Sequence, residues 1–397
     1  MPTGYLTTVV LVALYTVCVL HAPRRPAGLT RATFFMTHWV NEYPFVAFAA
    51  LAVSTVIALV HGDLTSAGGW VLLVVAAITA LGLLRVVLRA RRTGPVVVRA
   101  LGDQLDGAWG AAEDGAPDPP RLRPLRVLRD VLAPFPVRPP NVQRIRNVPY
   151  GDAGKRNLMD LYRLREPPAE PGPILIHFHG GHFQIGRKSR EALPLLHRLA
   201  SDGWLCISAD YRLGADGRFP NSLIDAKAVI AWARTHAAEH GADPSAIVVA
   251  GSSAGAHLAS MAALTPNDPA FQPAGTDEDT TVSAAVCLYG YYGRRTSGGA
   301  PSSPRDYLTR DAPPFLVAHG DNDNQIDVRN ADRFVDGLRE SSGAPVVYLR
   351  LPGAQHTFDL LRSLRFDQVV EGIVTFLGSV ALHDRRGDHP GVPARPA

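Results

Sequence analysis

The chain has 397 residues and a formal net charge of +4. That length exceeds the roughly 250 residues that a single large core needs and leaves room for a further region, while so small a charge excludes a nucleic-acid binder recognised by its electrostatics. Three cysteines, Cys18 in an apolar helical run and Cys206 and Cys287 in strand-like runs, exclude a disulfide framework.

In chain order, residues 5–20 (YLTTVVLVALYTVCVL), 44–60 (PFVAFAALAVSTVIALV) and 69–88 (GWVLLVVAAITALGLLRVVL) are apolar on every side. Each approaches the length of about 20 residues that a helix needs to cross a bilayer. A cleaved signal peptide is disfavoured, because Met1 to Gly4 carries no basic residue and "HAPRRP" is no small-residue cleavage site. Three membrane spans are therefore expected. Arg24, Arg25 and Arg31 follow the first span, "HGDLTSAG" between the second and third has no Lys or Arg, and Arg89, Arg91, Arg92 and Arg99 follow the third. The basic side faces the cytoplasm, so the N-terminus is expected outside and the long C-terminal part inside.

From 93 to 143 the composition turns to Gly, Pro and Arg, which breaks long elements and reads as a linker. Within it, Leu122, Leu125, Leu128 and Leu132 alternate with Arg121, Arg123, Arg126 and Arg129. That pattern fits a short helix either on an anionic leaflet or packed on the next domain with solvated arginines.

From 144 to 382 short apolar runs alternate with amphipathic segments. Strands are expected at 174–178, 205–210, 246–251, 284–290, 315–320 and 345–351, with an alternating run at 158–163 as part of an antiparallel edge hairpin. Helices fall at about 189–202, 221–241, 254–264, 327–341 and 364–379. Continuous apolar strands separated by helices imply an α/β fold, a mostly parallel sheet covered on both faces. The chain thus divides into a three-helix transmembrane region (1–92), a linker (93–143), a catalytic domain (144–382) and a disordered tail (383–397).

The stretch "VVAGSSAGAHLAS" contains Gly251-x-Ser253-x-Gly255 between an apolar strand and a helix. Strand, sharp turn and helix are what a nucleophile elbow requires, and only Ser253, not Ser252, lies centrally between the glycines. A serine nucleophile needs a base from another loop at the same sheet edge. His356 in "LPGAQHTFDLL" follows the last strand, and the strand before offers Asp321, Asp323 and Asp327. Asp323, far enough beyond the strand to reach across the loop, is expected to orient His356.

With these motifs in order, residues 145–380 resemble the α/β-hydrolase fold, in its carboxylesterase branch of hormone-sensitive-lipase-like and feruloyl-esterase-like bacterial enzymes. The resemblance rests on "HFHGGHF", "SADYRL", "AIVVAGSSAGAHLAS", "HGDNDNQ" and "GAQHTF". It implies Ser253 as nucleophile, His356 as base and Asp323 as its partner. It also implies an oxyanion hole from Gly180 and Gly181 with the amide of Ala254, and no cofactor or metal. His182 stands where the fuller motif has a third glycine; it lines the substrate pocket or faces solvent. His177, His179 and His182 share the H-x-H-x-x-H spacing of metallo-β-lactamase-like hydrolases, but Gly181 occupies the position where those carry an acid.

The roughly two dozen residues between 290 and 315 are too few for a large helical lid, which points to residues 100–145 as the source of any cover. The expected activity is hydrolysis of short-to-medium-chain or lipid-derived carboxylic esters beside the bilayer, through an acyl-enzyme. Acyl transfer on the same residues and a non-catalytic, hydrolase-like binding protein are the alternatives. The expected partners are the ester and the lipid bilayer, not nucleic acid.

Overall fold

A computed structural model describes residues 3–106, 134–166, 168–274, 278–296 and 299–386. The apolar N-terminal runs fold as α1 (Thr3–Leu20), α3 (Pro44–Val60) and α4 (Ala67–Arg91). Their inward residues form two small clusters, one around Val9, Leu51 and Leu72 and the other around Val19, Leu83 and Val86. Their outward residues are equally apolar: Val60 is 79% exposed and Leu81 66%. Two helical stretches, α1 and the run Ala67–Leu105, are long and apolar enough to cross a membrane; α3, with 17 residues, is shorter. Ser66 caps α4 by accepting from the amide of Gly69 at 3.1 Å, and Arg89 and Arg91 complement the negative end of its dipole.

Between α1 and α3 lies a helix that the sequence reading did not assign, α2 (Ala27–Glu42). Its buried positions include Thr30, Thr33, Thr37, Asn41 and Glu42, while Leu29 and Trp39 are exposed. This reverses the usual amphipathic pattern, because the helix packs its polar side on the loops of the catalytic domain.

The linker assignment needs correction at its start. Residues 93–106 form α5 (Thr93–Leu101) and a π-helical turn (Gly102–Asp106), and Val97, Leu101 and Leu105 enter the catalytic core. The Gln104 side-chain oxygen also accepts from the amide of Tyr348 at 3.0 Å. The Leu122–Leu132 basic pattern lies outside the described residues. At the far end, residues 383–386, assigned to the tail, continue the last helix.

The catalytic domain is built on an eight-stranded sheet: β1 (Val142–Pro149), β2 (Leu158–Leu164), β3 (Gly172–Phe178), β4 (Leu205–Ala209), β5 (Ala242–Ser252), β6 (Ala284–Leu288), β7 (Phe315–Gly320) and β8 (Val346–Leu351). Their order is β1-β2-β4-β3-β5-β6-β7-β8. The β1–β2 and β2–β4 pairs are antiparallel and all others parallel. Every residue of β4, β6 and β7 is buried, as strands covered on both faces must be. On one face pack α7 (Asn221–His236), α8 (Ala254–Leu264) and α9 (Arg329–Ser341); on the other, α5, α6 (Leu193–Ser201) and α10 (Leu364–Arg386). This is the α/β-hydrolase arrangement. The chain leaves β3 for β4 on one side and returns to β5 on the other, so the carboxyl ends of β3 and β5 open a crevice at the switch point.

Candidate active site

At that switch point β5 ends, Ser253 follows, and α8 starts one residue later. Ser253 holds φ +55° and ψ −112°, a conformation costly for any residue with a Cβ. The turn closes because its neighbours are glycines: a Cβ on Gly251 would meet the carbonyl of Gly255, and one on Gly255 would meet that of Phe178. Ser253 Oγ lies 2.9 Å from Nε2 of His356, and His356 Nδ1 lies 2.7 Å from Asp323 Oδ2. The three side chains thus form one line, contributed by the loops after β5, β8 and β7.

The Asp323 carboxylate is buried, which alone would raise its pKa, yet His356 and His319 beside it hold it well below the usual range. It also accepts from the amides of Gln325 and Ile326 at 2.8 and 2.9 Å. Such a group stays charged and fixed. Neighbouring Ser252 does not line the cavity: it is fully buried, donates to Asp359 Oδ2 at 2.6 Å, and sits 3.0 Å from His177 Nε2.

The loop after β3 carries the glycine pair. His179 stacks on Tyr211, with ring centroids 4.4 Å apart, and its Nδ1 lies 2.7 Å from the carbonyl oxygen of Gly180. The Gly180 amide donates to the carboxylate of Glu191. The expectation that Gly180 contributes an oxyanion donor is corrected by this bond, since an N–H already given to the Glu191 carboxyl oxygen is not free for substrate. Among the described residues, the amides of Gly181, His182 and Ala254 donate to no protein acceptor. Gly181 adopts φ +120° and His182 φ +54°, which turns the loop over the elbow.

Glu191, which the sequence reading did not single out, is the hidden support of this loop. Burial, with Asp359 nearby, pushes its carboxyl up to about 8. His177 is likewise buried, and burial pushes it down to about 3, a neutral ring within the sheet. His177, His179 and His182 do not converge, and no group of three potential ligands is found among the described residues. His182 is exposed and lines a cavity of about 640 Å³ with Ser253, Ala254, Phe183, Phe219 and Tyr291.

On the opposite side α2 packs against the loops that hold His356 and Asp323; of the cover expected from residues 100–145, residues 107–133 lie outside the described residues. Phe34 packs edge-on against His356, with centroids 6.3 Å apart. Thr37 donates to Gln355 at 3.3 Å, and His38 Nδ1 is 3.4 Å from Thr357 Oγ1. Asn322 and Asn324, flanking Asp323, donate to the carbonyls of Val19 and Pro23 at 2.7 and 3.3 Å. Glu42 accepts from Ser363 at 2.7 Å and faces the fully buried Arg365 at 3.7 Å. No hydrophobic periodicity signals this helix, because what it buries is polar.

Known proteins resemble this chain in sequence and fold. A BD-FAE family model matches residues 159–297. Probable carboxylic ester hydrolase LipM of Mycobacterium tuberculosis is 33% identical across 98% of this chain and 96% of its own length, so the match runs through the N-terminal helices too. Esterase LipC of the same organism is 40% identical over 59% of this chain and 65% of its own. Among solved structures, Thermogutta terrifontis esterase 2 phosphoramylated by tabun has 25% identity and a TM-score of 0.53, over 62% of this chain and 97% of that one. A truncated carbohydrate esterase from gut microbiota, 22% identical with a TM-score of 0.51 over 60% of this chain and 96% of that one, shares the fold. The chain belongs to the carboxylic ester hydrolases of the α/β-hydrolase fold.

Proposed function

We propose that this carboxylic ester hydrolase is a membrane-anchored serine enzyme acting through Ser253, His356 and Asp323. The observation that carries the reading is the unbroken line from Ser253 Oγ to His356 to Asp323 at 2.9 and 2.7 Å. His356 takes the hydroxyl proton as Ser253 Oγ attacks the ester carbonyl. The resulting oxyanion is met by the free amides of Gly181, Ala254 and, in place of Gly180, His182. Donors of this kind lower the barrier by about 3 kcal/mol each. His356 then gives its proton to the departing alcohol, leaving the acyl group on Ser253. Water, deprotonated by His356, attacks that ester, and the carboxylic acid leaves as Ser253 regains its proton.

For the membrane, α1, α3 and α4 are read as three spans of residues 1–92, with the catalytic part from 93 to 386 on the cytoplasmic side. The end of α1 and both ends of α2 contact catalytic loops, and Arg89 at the end of α4 donates to Leu20 at the end of α1. Arginines cluster at those same ends, which supports the orientation. A site this close to the bilayer suits short-to-medium-chain or lipid-derived esters.

The test is fluorophosphonate labelling of the membrane fraction, with the adduct mapped in wild type, Ser252→Ala and Ser253→Ala. Adduct on Ser253, lost only in Ser253→Ala, is the expected result; an unlabelled, folded protein overturns the reading. Reporter fusions after residues 66 and 100 test the topology, and an external signal at the second site overturns the cytoplasmic placement.

A further inference from the structure

The cavity beside Ser253 has an unusual charge balance. Arg295 stands in its wall and Arg218 at its exposed rim, and no carboxylate side chain lines it among the described residues. Arg295 stacks over Phe183, with its guanidinium carbon 3.5 Å from the ring centroid. It donates to Ser222 Oγ at 2.7 Å and to the carbonyl of Gly217 at 3.1 Å. Both acceptors are neutral. Burial lowers its pKa to about 10, so it still carries its charge at neutral pH, without a carboxylate beside it to balance that charge. Of the acids near the cavity, Asp323 also acts on His182 but is tied to His356 at 2.7 Å and His319 at 3.3 Å, and Asp327, which follows the lining residues Gln325 and Ile326, is held by Arg329 at 2.9 Å and Arg24 at 3.7 Å. Exposed Arg31 on α2 adds positive charge that is felt at His182 on the cavity's edge.

A half-buried cation loses part of its hydration, a cost that a group of opposite charge would offset. Guanidinium groups also present a planar fork suited to carboxylate or phosphate. We infer that the esters preferred by this site carry an anionic group, a carboxylate or a phosphate, on the part of the molecule that fills the cavity beside Ser253, with Arg295 as its anchor and Arg218 as the rim cation. The inference rests on the proposed Ser253 chemistry and names the substrate class for it. The anion can belong to a soluble acid or to a lipid headgroup, and both present the same chemistry to the two arginines.

The experiment uses full-length protein in detergent and matched esters that differ only in charge. For an anion on the alcohol side, 3-acetoxybenzoate is compared with 3-acetoxybenzamide; for the acyl side, mono-4-nitrophenyl adipate with 4-nitrophenyl adipamate. For a lipid source, didecanoylphosphatidylglycerol is compared with didecanoylglycerol in mixed micelles. The expected result is a kcat/KM ratio of about tenfold or more in favour of the anionic member of at least one pair. That ratio should fall with ionic strength, and should fall several-fold in Arg218→Gln and invert in Arg218→Glu. Arg295→Lys, which keeps the charge but loses the fork, should retain part of the ratio that Arg295→Gln loses. Which pair responds identifies the source of the anion. Neutral esters turned over as well as or better than anionic ones in every pair, with Ser253 labelled by fluorophosphonate, overturn this inference alone. No turnover of any ester with Ser253 unlabelled overturns it together with the proposed mechanism.

Discussion

The N-terminal helices and the catalytic domain obey opposite burial rules. In the catalytic domain, strands such as β4 and β7 hide every side chain and the surface is polar, as expected where water is the solvent. In α1, α3 and α4 the outward faces are as apolar as the inward ones, and the inward contacts amount to two small clusters. Such helices gain little from packing on one another in water and are suited to a lipid solvent. Between the two regimes lies α2, whose polar face rests on the loops that hold Asp323 and His356. The difference teaches that the apolar helices are not simply appended to the sheet domain: the helix that connects them packs on the loops of Asp323 and His356, with Phe34 against the His356 ring.

The strongest way to separate the two regions is to remove the chemistry from the catalytic domain alone. Ser253→Ala should lower kcat on a neutral ester by about 10⁴-fold or more with an unchanged melting temperature, read by steady-state kinetics and thermal unfolding. Asp323→Asn should cost about 10³- to 10⁴-fold, because His356 loses the partner that fixes its tautomer. The same measurements on Ser252→Ala should show a loss of stability, since Asp359 loses a buried donor, with a far smaller effect on kcat.

The junction is tested next. Arg365 is fully buried, its three guanidinium nitrogens lack hydrogen-bond partners, and Glu42 on α2 faces it at 3.7 Å. Glu42→Gln leaves that cation uncompensated and should cost about 3 kcal/mol, measured by denaturant unfolding in detergent. The double change Glu42→Gln with Arg365→Met should recover much of the loss. If Glu42→Gln leaves both stability and kcat unchanged, α2 is less tightly integrated than the contacts imply.

A smaller effect concerns pH. Burial raises the folded pKa of Glu191 to about 8 from the ordinary value of about 4.5. The folded state therefore holds a proton that the unfolded state has lost, so its contribution is complete below about 4.5, declines as pH rises, and is gone above about 8. Melting temperatures at pH 5, 7 and 9 should fall along that series, and Glu191→Gln should flatten the slope. A wild-type protein equally stable at all three values would place the buried charge elsewhere than on Glu191.

Much of this protein was legible in its residue order. The G-x-S-x-G turn is local: the two glycines, the preceding apolar strand and the following helix dictate it within a dozen residues, so Ser253 could be placed from the sequence. His356 and Asp323 were readable because each follows a strand in a fold whose strand ends share one edge. The three apolar runs announced themselves by composition. Tertiary structure decided the rest, for one physical reason: these features depend on where polar groups meet across long chain separations. Glu191 claims the amide of Gly180, eleven residues away, a bond that no local pattern announces. Helix α2 buries threonines and an asparagine, a pattern that means nothing until the loops around Asp323 and His356 are laid against it. Arg295 is one of many arginines in the chain, and only the closed fold leaves it in the wall of a cavity where no carboxylate reaches it.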